Sequence, residues 1–215
     1  MDKLVESFKT LSAASISDAL DRLQIPAQAQ GIHSLRRGYH IVGRAFTIRY
    51  LPVGATKGTV GDYVDDVPPG GVVVLDNAGR LDCTVWGDIL TTVAAQRKIA
   101  GTVINGVCRD VSGSLEVQYP IFSRGSFMRT GKDRVEVAGI NVPASLGEVQ
   151  VRPNDIVVGT DDGVLVIPDA TAAKVLEIAQ SISEAEDRII AAVKSGSRLD
   201  EARKKNNYHH LQSHD

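Results

Sequence analysis

Two short apolar runs constrain this chain most. Val72-Val73-Val74-Leu75 follows the turn Pro68-Pro69-Gly70-Gly71, and Thr102-Val103-Ile104-Asn105-Gly106-Val107 lies about thirty residues on. Neither run alternates with polar residues, so each reads as a strand buried on both faces. Asp88 to Lys98 between them has helical spacing, and strand–helix–strand over this length is a βαβ unit with parallel, right-handed pairing. The stretch from Asp76 to Trp86 carries Gly and Asp and reads as the loop into that helix.

Around this unit the pattern is mixed. Leu4, Phe8, Leu11, Ile16, Ala19, Leu20 and Leu23 give helices over the first thirty residues, and Ser15-Ile16-Ser17-Asp18 has the form of a capping box, which starts the second helix at Ser15. From Tyr39 to Tyr50 the chain is rich in branched and aromatic residues and reads as β. Between Pro120 and Pro168 short strands are predicted at 134–137, 147–151, 155–159 and 164–167, with Thr160-Asp161-Asp162-Gly163 as a hairpin turn. A long helix follows from Asp169 to about Lys194, with Val175, Ile178, Ile182, Ala185, Ile189 and Val193 on one face. The expectation is one α/β domain over 1–215, with N-terminal helices over 1–30 and a C-terminal helix and polar tail over 169–215.

Composition narrows the functions. With 24 Lys+Arg against 26 Asp+Glu the net charge is -2, which lacks the basic surplus of a nucleic-acid binder. No run of eighteen apolar residues occurs, and Met1-Asp2-Lys3 begins no signal peptide, so no membrane partner and a cytoplasmic location are expected. Two cysteines, Cys83 and Cys108, cannot build a disulfide framework or a four-thiolate zinc site and read as core residues. His209, His210 and His214 fall in the polar tail and read as solvent-exposed, and Gly54 to Thr59 lacks phosphate-loop spacing and reads as a plain loop. Dinucleotide fingerprint, nucleophile elbow and His-Glu-x-x-His are all absent.

The informative stretch is Trp86 to Asp110. Gly87 permits close approach of a ligand, Asp88 can cap the helix, and the free N–H groups at such a helix start suit a carboxylate. Arg109-Asp110 follows the second strand, and ligand crevices in α/β folds open at the carboxyl ends of parallel strands. Together they offer a guanidinium fork beside a hard oxygen ligand. From the residues alone a helix cap and a surface turn account for the same positions, and by frequency more often do.

Trp86-Gly87-Asp88-Ile89-Leu90 and Gly106-Val107-Cys108-Arg109-Asp110, with Ile16-Ser17-Asp18-Ala19-Leu20 and Asp161-Asp162-Gly163-Val164, resemble the RraA-like family over roughly residues 10 to 170. That family includes metal-dependent class II pyruvate aldolases acting on 4-hydroxy-4-methyl-2-oxoglutarate and 4-carboxy-4-hydroxy-2-oxoadipate, and also proteins described as regulators of ribonuclease E. The resemblance implies a swivelling β/β/α sandwich, assembled as homotrimers or hexamers with sites between subunits. It implies that Gly87, Asp88, Ile89 and Leu90 bind the substrate carboxylate, and that Asp88 moves protons. Arg109 would hold the keto-acid end, and Asp110 would be the single direct protein ligand of Mg²⁺, Mn²⁺ or another divalent cation. The substrate would be a small α-keto acid cleaved to pyruvate by the aldolase or by oxaloacetate decarboxylation, and the alternative is a non-catalytic regulator of ribonuclease E. Gly113 departs from the family's Arg-Asp-x-x-Glu/Asp pattern, and Glu184 and Glu186 are the candidates for an acid donated by a neighbouring subunit.

Overall fold

The computed structural model describes residues 2–55, 58–206 and 208. Its helices are α1 (Lys3–Phe8), α2 (Ala13–Arg22), α3 (Asp88–Gln96), α4 (Val111–Glu116), α5 (Ala172–Lys194) and α6 (Leu199–Lys205). The strands are β1 (Gln28–Ala29), β2 (His33–Ser34), β3 (Ile41–Pro52), β4 (Val72–Thr84), β5 (Gly101–Val107), β6 (Ile121–Ser123), β7 (Val135–Ile140), β8 (Ala144–Leu146), β9 (Val149–Val151), β10 (Ile156–Thr160) and β11 (Gly163–Ile167). The chain divides into two compact units, one of residues up to Ala27 with those from Ala170 onward, the other Gln28–Asp169.

The first unit is helical. In α5 the apolar stripe buries Val175, Ile178, Ile182, Ala185 and Ile189, whereas Val193 near its end is 42% exposed. The second helix does not begin at Ser15. Ser12 caps it, accepting from the Ser15 N–H at 3.0 Å, so α2 starts two residues earlier and Ser15 is buried inside it. Ser15 instead donates to Glu186 Oε2 at 3.1 Å, and Glu184 lies 3.9 Å from Arg188. None of the described helices is long and apolar enough to cross a membrane. His209, His210 and His214 lie outside the described residues, as do Thr56 and Lys57 of the Gly54–Thr59 segment.

The second unit is a mixed sheet in the order β1-β11-β10-β3-β4-β5-β6-β2, with β7 added on β3 and β8–β9 forming a separate hairpin. The pairs β3–β4, β4–β5 and β5–β6 are parallel, as the two apolar runs require, and the edges are antiparallel. Val73, Leu75 and Ile104 face one core with Phe46, Trp86 and Tyr119; Val72, Val74 and Val103 face another with Phe122, Leu146 and Val157. Burial on both faces explains why neither run alternates. The Thr160–Gly163 turn closes the β10–β11 hairpin as the sequence indicates.

Three further boundaries differ from the sequence reading. The expected loop from Asp76 is a continuation of β4 to Thr84: register shifts at Arg80 and Thr84 absorb extra residues, with Ala78 at φ 52° and Gly79 at φ 68° making the bend. Of the strand expected at 147–151, Val149–Val151 is strand β9, and it begins two residues late because Gly147, at φ 66°, turns the chain back from β8. Helix α3 ends at Gln96 because Lys98 has a left-handed φ of 58°.

Candidate functional site

The carboxyl ends of β4 and β5 are tied together by one hydroxyl. Thr84 Oγ1 lies 2.9 Å from both the Trp86 and Val107 carbonyls and accepts from the Trp86 N–H at 3.2 Å. The Arg109 N–H donates to the Trp86 carbonyl at 3.0 Å, so the two strand ends emerge side by side and their next residues share one space.

The indole beneath is fixed in turn. Trp86 Nε1–H donates to Thr91 Oγ1 at 2.9 Å, and the Thr91 hydroxyl sits 2.8 Å from the Gly87 carbonyl. Ser114 Oγ lies 3.2 Å from the same hydroxyl and ties α4 to α3. The Trp86 ring stacks on Tyr119 with centroids 6.2 Å apart. Thr91 and Trp86 are essentially fully buried, which makes this a rigid floor.

Gly87, not Asp88, is the N-cap of α3, with extended backbone and no side-chain capping bond; Asp88 is the first helical residue. No cap side chain therefore covers the first-turn N–H groups, which include those of Ile89 and Leu90 and have no helical acceptor. They form the positive end of the helix dipole.

Asp110 stands in the left-handed region, φ 54° and ψ 42°, as the N-cap of α4. Asp tolerates that conformation better than most residues. Its Oδ2 is 3.2 Å from Arg109 Nε, both side chains being 38% exposed. These groups line one cleft of about 240 Å³ with Gly87, Asp88, Ile89 and Leu90 on one wall and Arg109 and Asp110 on another. All six residues singled out from the sequence are thus brought together. Asp62, Thr84 and Thr130 line the same cleft and were missed, and no motif marks them; Trp86, the first residue of the Trp86–Leu90 motif, lines it too.

Gly113 lies in α4 outside the left-handed region, and a Cβ there would stand 3.4 Å from Asp88 Cβ. The position missing an acid therefore faces Asp88. Cys108, just before the cleft residues, is buried, and that burial pushes its thiol up, so it stays protonated near neutrality and is a poor nucleophile.

Asp62, Asp88 and Asp110 offer oxygen donors only, the ligand type of a hard divalent cation. No group of three or more His, Cys, Asp or Glu among the described residues could by itself hold a metal ion. Mg²⁺ typically takes one or two protein carboxylates and completes its shell with water and substrate. The donor set fits such an ion.

Fold and cleft together define a mixed α/β sandwich with a small cleft at the carboxyl edge of its parallel strands. The chain belongs to the RraA-like (Aldolase/RraA) family, whose model matches residues 13–166. Protein DlpA of Legionella pneumophila is 42% identical over 207 residues, 94% of this chain; the chain spans 34% of that relative's length. A putative 4-hydroxy-4-methyl-2-oxoglutarate aldolase of Halalkalibacterium halodurans is 35% identical, the match covering 87% of this chain and 88% of the relative. The crystal structure of Streptomyces coelicolor RraAS2, described as an unusual member of the RNase ES inhibitor RraA family, superposes with a TM-score of 0.79 at 27% identity, covering 87% of this chain and 96% of that one. The family thus joins relatives named as enzymes and relatives named as inhibitors.

Proposed function

We propose that the chain is a divalent-cation-dependent lyase that breaks a C–C bond of a small α-keto acid and releases pyruvate, as an aldolase of the 4-hydroxy-4-methyl-2-oxoglutarate type or as an oxaloacetate decarboxylase. The observation carrying it is the convergence of Arg109, Asp110 and the N-terminus of α3 on one cleft of about 240 Å³, room for a small organic acid.

In this reading the first-turn N–H groups of α3 and the Arg109 fork grip the anionic and keto oxygens. Asp110 would hold the cation, which supplies Lewis-acid stabilisation of enolate charge, and Asp88 faces it as the acid–base group. Breaking the C–C bond sends its electron pair into the enolate of pyruvate, and Arg109 adds a fixed positive field there. For the aldol substrate Asp88 accepts the hydroxyl proton as the carbonyl of the departing fragment forms. For oxaloacetate the departing fragment is CO₂ and no base is needed, and in both cases the enolate takes a proton to give pyruvate. The assembly we propose is a homotrimer or hexamer.

Pyruvate release from both substrates with Mg²⁺, and again with EDTA, tests this after subtraction of the metal's own background. Chelator-sensitive turnover is expected. A second reading, a protein-binding regulator like the ribonuclease inhibitors, draws on the likeness to RraAS2 and on Gly113 where an acid is expected. Absence of turnover on both acids, with inhibition of a ribonuclease E-type enzyme by the full chain, would select it.

A further inference from the structure

The carboxyl edge of the sheet holds a second fixed arginine. Arg124 directly follows β6, which runs parallel to β5, and its N–H donates to the Gly106 carbonyl at 2.8 Å. Its side chain is anchored by a polar chain that can run in one direction only. Arg124 Nε donates to Asn105 Oδ1 at 2.8 Å, and Asn105 Nδ2 donates to Asp76 Oδ1 at 3.1 Å. A guanidinium only donates and a carboxylate only accepts, so the amide between them cannot be turned over. Asp76 is held in turn by the Ala78 N–H at 3.0 Å and by the Ser145 N–H and hydroxyl at 2.9 and 3.0 Å. Asp76 and Asn105 are buried, and a satisfied buried network of this kind is rigid.

The anchor spends only the Nε–H. Nη1 and Nη2 have no hydrogen-bond partner among the described residues, and although Arg124 is half-buried both atoms remain open to solvent. What stands beside them is glycine. A Cβ on Gly31, in the turn between β1 and β2, would lie 2.9 Å from Nη1, and one on Gly147, in the β8–β9 turn, would lie 2.8 Å from Nη2. Both glycines have left-handed φ, 77° and 66°, but that conformation does not by itself demand glycine in this chain. Asp133, Asn141 and Asn154 hold it at φ 64°, 52° and 72°. The two turns thus reach the fork with no side chain of their own to cover or neutralise it.

We propose that Arg124 is the receptor of a second binding site, for the carboxylate of a small organic acid gripped by parallel N–H bonds from Nη1 and Nη2. A carboxylate is favoured over a phosphate dianion because Asp76, one hydrogen-bonded residue away, already brings a negative charge into the same network. The lining of the Arg109 cleft includes neither Arg124 nor the two glycines, and the second site stands whether or not the chain is a lyase.

The test is NMR titration of the full chain with acetate, acetamide and inorganic phosphate in its dianionic form. The amides of Gly31 and Gly147 report on this site, and those of Gly87 and Ile89 on the cleft. Acetate should shift Gly31 and Gly147 with an affinity in the millimolar range. Acetamide, of the same shape without the charge, and phosphate should bind there roughly tenfold or more weakly. Arg124→Lys keeps the charge and loses the fork, so it should weaken acetate at Gly31 and Gly147 by roughly tenfold and leave the response of Gly87 and Ile89 as it is in wild type. The comparison of acetate with acetamide on wild type carries the test if the variant does not fold. No shift at Gly31 and Gly147 in folded wild type, acetamide or phosphate binding as tightly as acetate, or an unaltered affinity in folded Arg124→Lys would overturn the proposal and leave the Arg124 amino groups to water alone.

Discussion

Asp110 rests against Gly87 so closely that a Cβ on residue 87 would stand 2.6 Å from Asp110 Oδ2. The same Cβ would be 3.3 Å from Arg109 Nε. Gly87 has φ -150°, which any residue can adopt, so its requirement is space for the cleft carboxylate and not backbone freedom. Gly87→Ala should therefore leave the fold intact and push Asp110 aside. Melting within about 1 kcal/mol of wild type, with pyruvate release down by tenfold or more, is expected if positioning is as demanding as in other sites. Thermal denaturation and steady-state kinetics on the same preparation check both halves.

The relationship also shows what a sequence can carry. The parallel core was legible because Val72–Leu75 and Val103–Ile104 are apolar at consecutive positions, which only burial on both faces explains. Gly87, Asp88, Ile89, Leu90, Arg109 and Asp110 could be placed on one edge because each follows a parallel strand's end. The course of β4 beyond Asp76 was not legible, since Asn77-Ala78-Gly79 has turn chemistry and only pairing with β5 keeps the strand going. The start of α2 was misread because Ser12 and Ser15 are equally good caps, and burial of Ser15 decides between them. The Thr84, Thr91 and Ser114 hydroxyls beneath the cleft leave no local pattern, being brought together across distant segments.

Asp110 and Arg109 should fail in different ways. Asp110 is in the left-handed region, so Asp110→Asn, which tolerates that backbone, separates loss of charge from strain. Metal affinity measured by calorimetry should fall, and turnover should vanish at ordinary Mg²⁺. Arg109→Lys keeps the charge but loses the planar fork. Metal binding should survive while kcat/KM drops by about a hundredfold. Wild-type kinetics in both variants would remove the pair from the site.

Gly113→Asp places a carboxylate beside Asp88 at a helical position free of left-handed strain. An added acid that orients the ion's waters typically changes affinity by about tenfold or more. Mg²⁺ titration should show tighter binding; unchanged affinity in a folded variant would mean that this turn does not face the ion.

Burial raises the phenols of Tyr50, Tyr63 and Tyr119 well above their ordinary value of 10.0. The unfolded chain then loses protons that the folded chain keeps, so stability is full below pH 10 and declines as pH rises beyond it. The slope approaches about 1.4 kcal/mol per pH unit for each phenol. Urea midpoints between pH 8 and pH 11 should fall only above the ordinary tyrosine range, and absorbance near 295 nm should show these three ionising only with unfolding.

Thr91→Val probes the floor of the cleft and separates stability from chemistry. The substitution keeps the shape and deletes one oxygen, which at present accepts from Trp86 Nε1 at 2.9 Å and lies 2.8 Å from the Gly87 carbonyl. The backbone of the first turn loses little, because the Thr91 N–H still donates to Gly87 at 3.0 Å. The indole N–H loses its acceptor in a residue only 1% exposed, and a buried donor left unsatisfied costs about 1–3 kcal/mol. For a chain of this size that corresponds to a fall of roughly 2–12 °C in Tm. Freed of its tether, the ring can tilt against Tyr119 and carry the Trp86 carbonyl, to which the Arg109 N–H is bonded, away from its present place. Turnover should therefore decline together with Tm, and Thr91→Ser, which restores the oxygen, should recover the activity and most of the stability. A Thr91→Val variant that melts like wild type would show that the indole N–H finds another acceptor and that the hydroxyl is not what holds the floor in place.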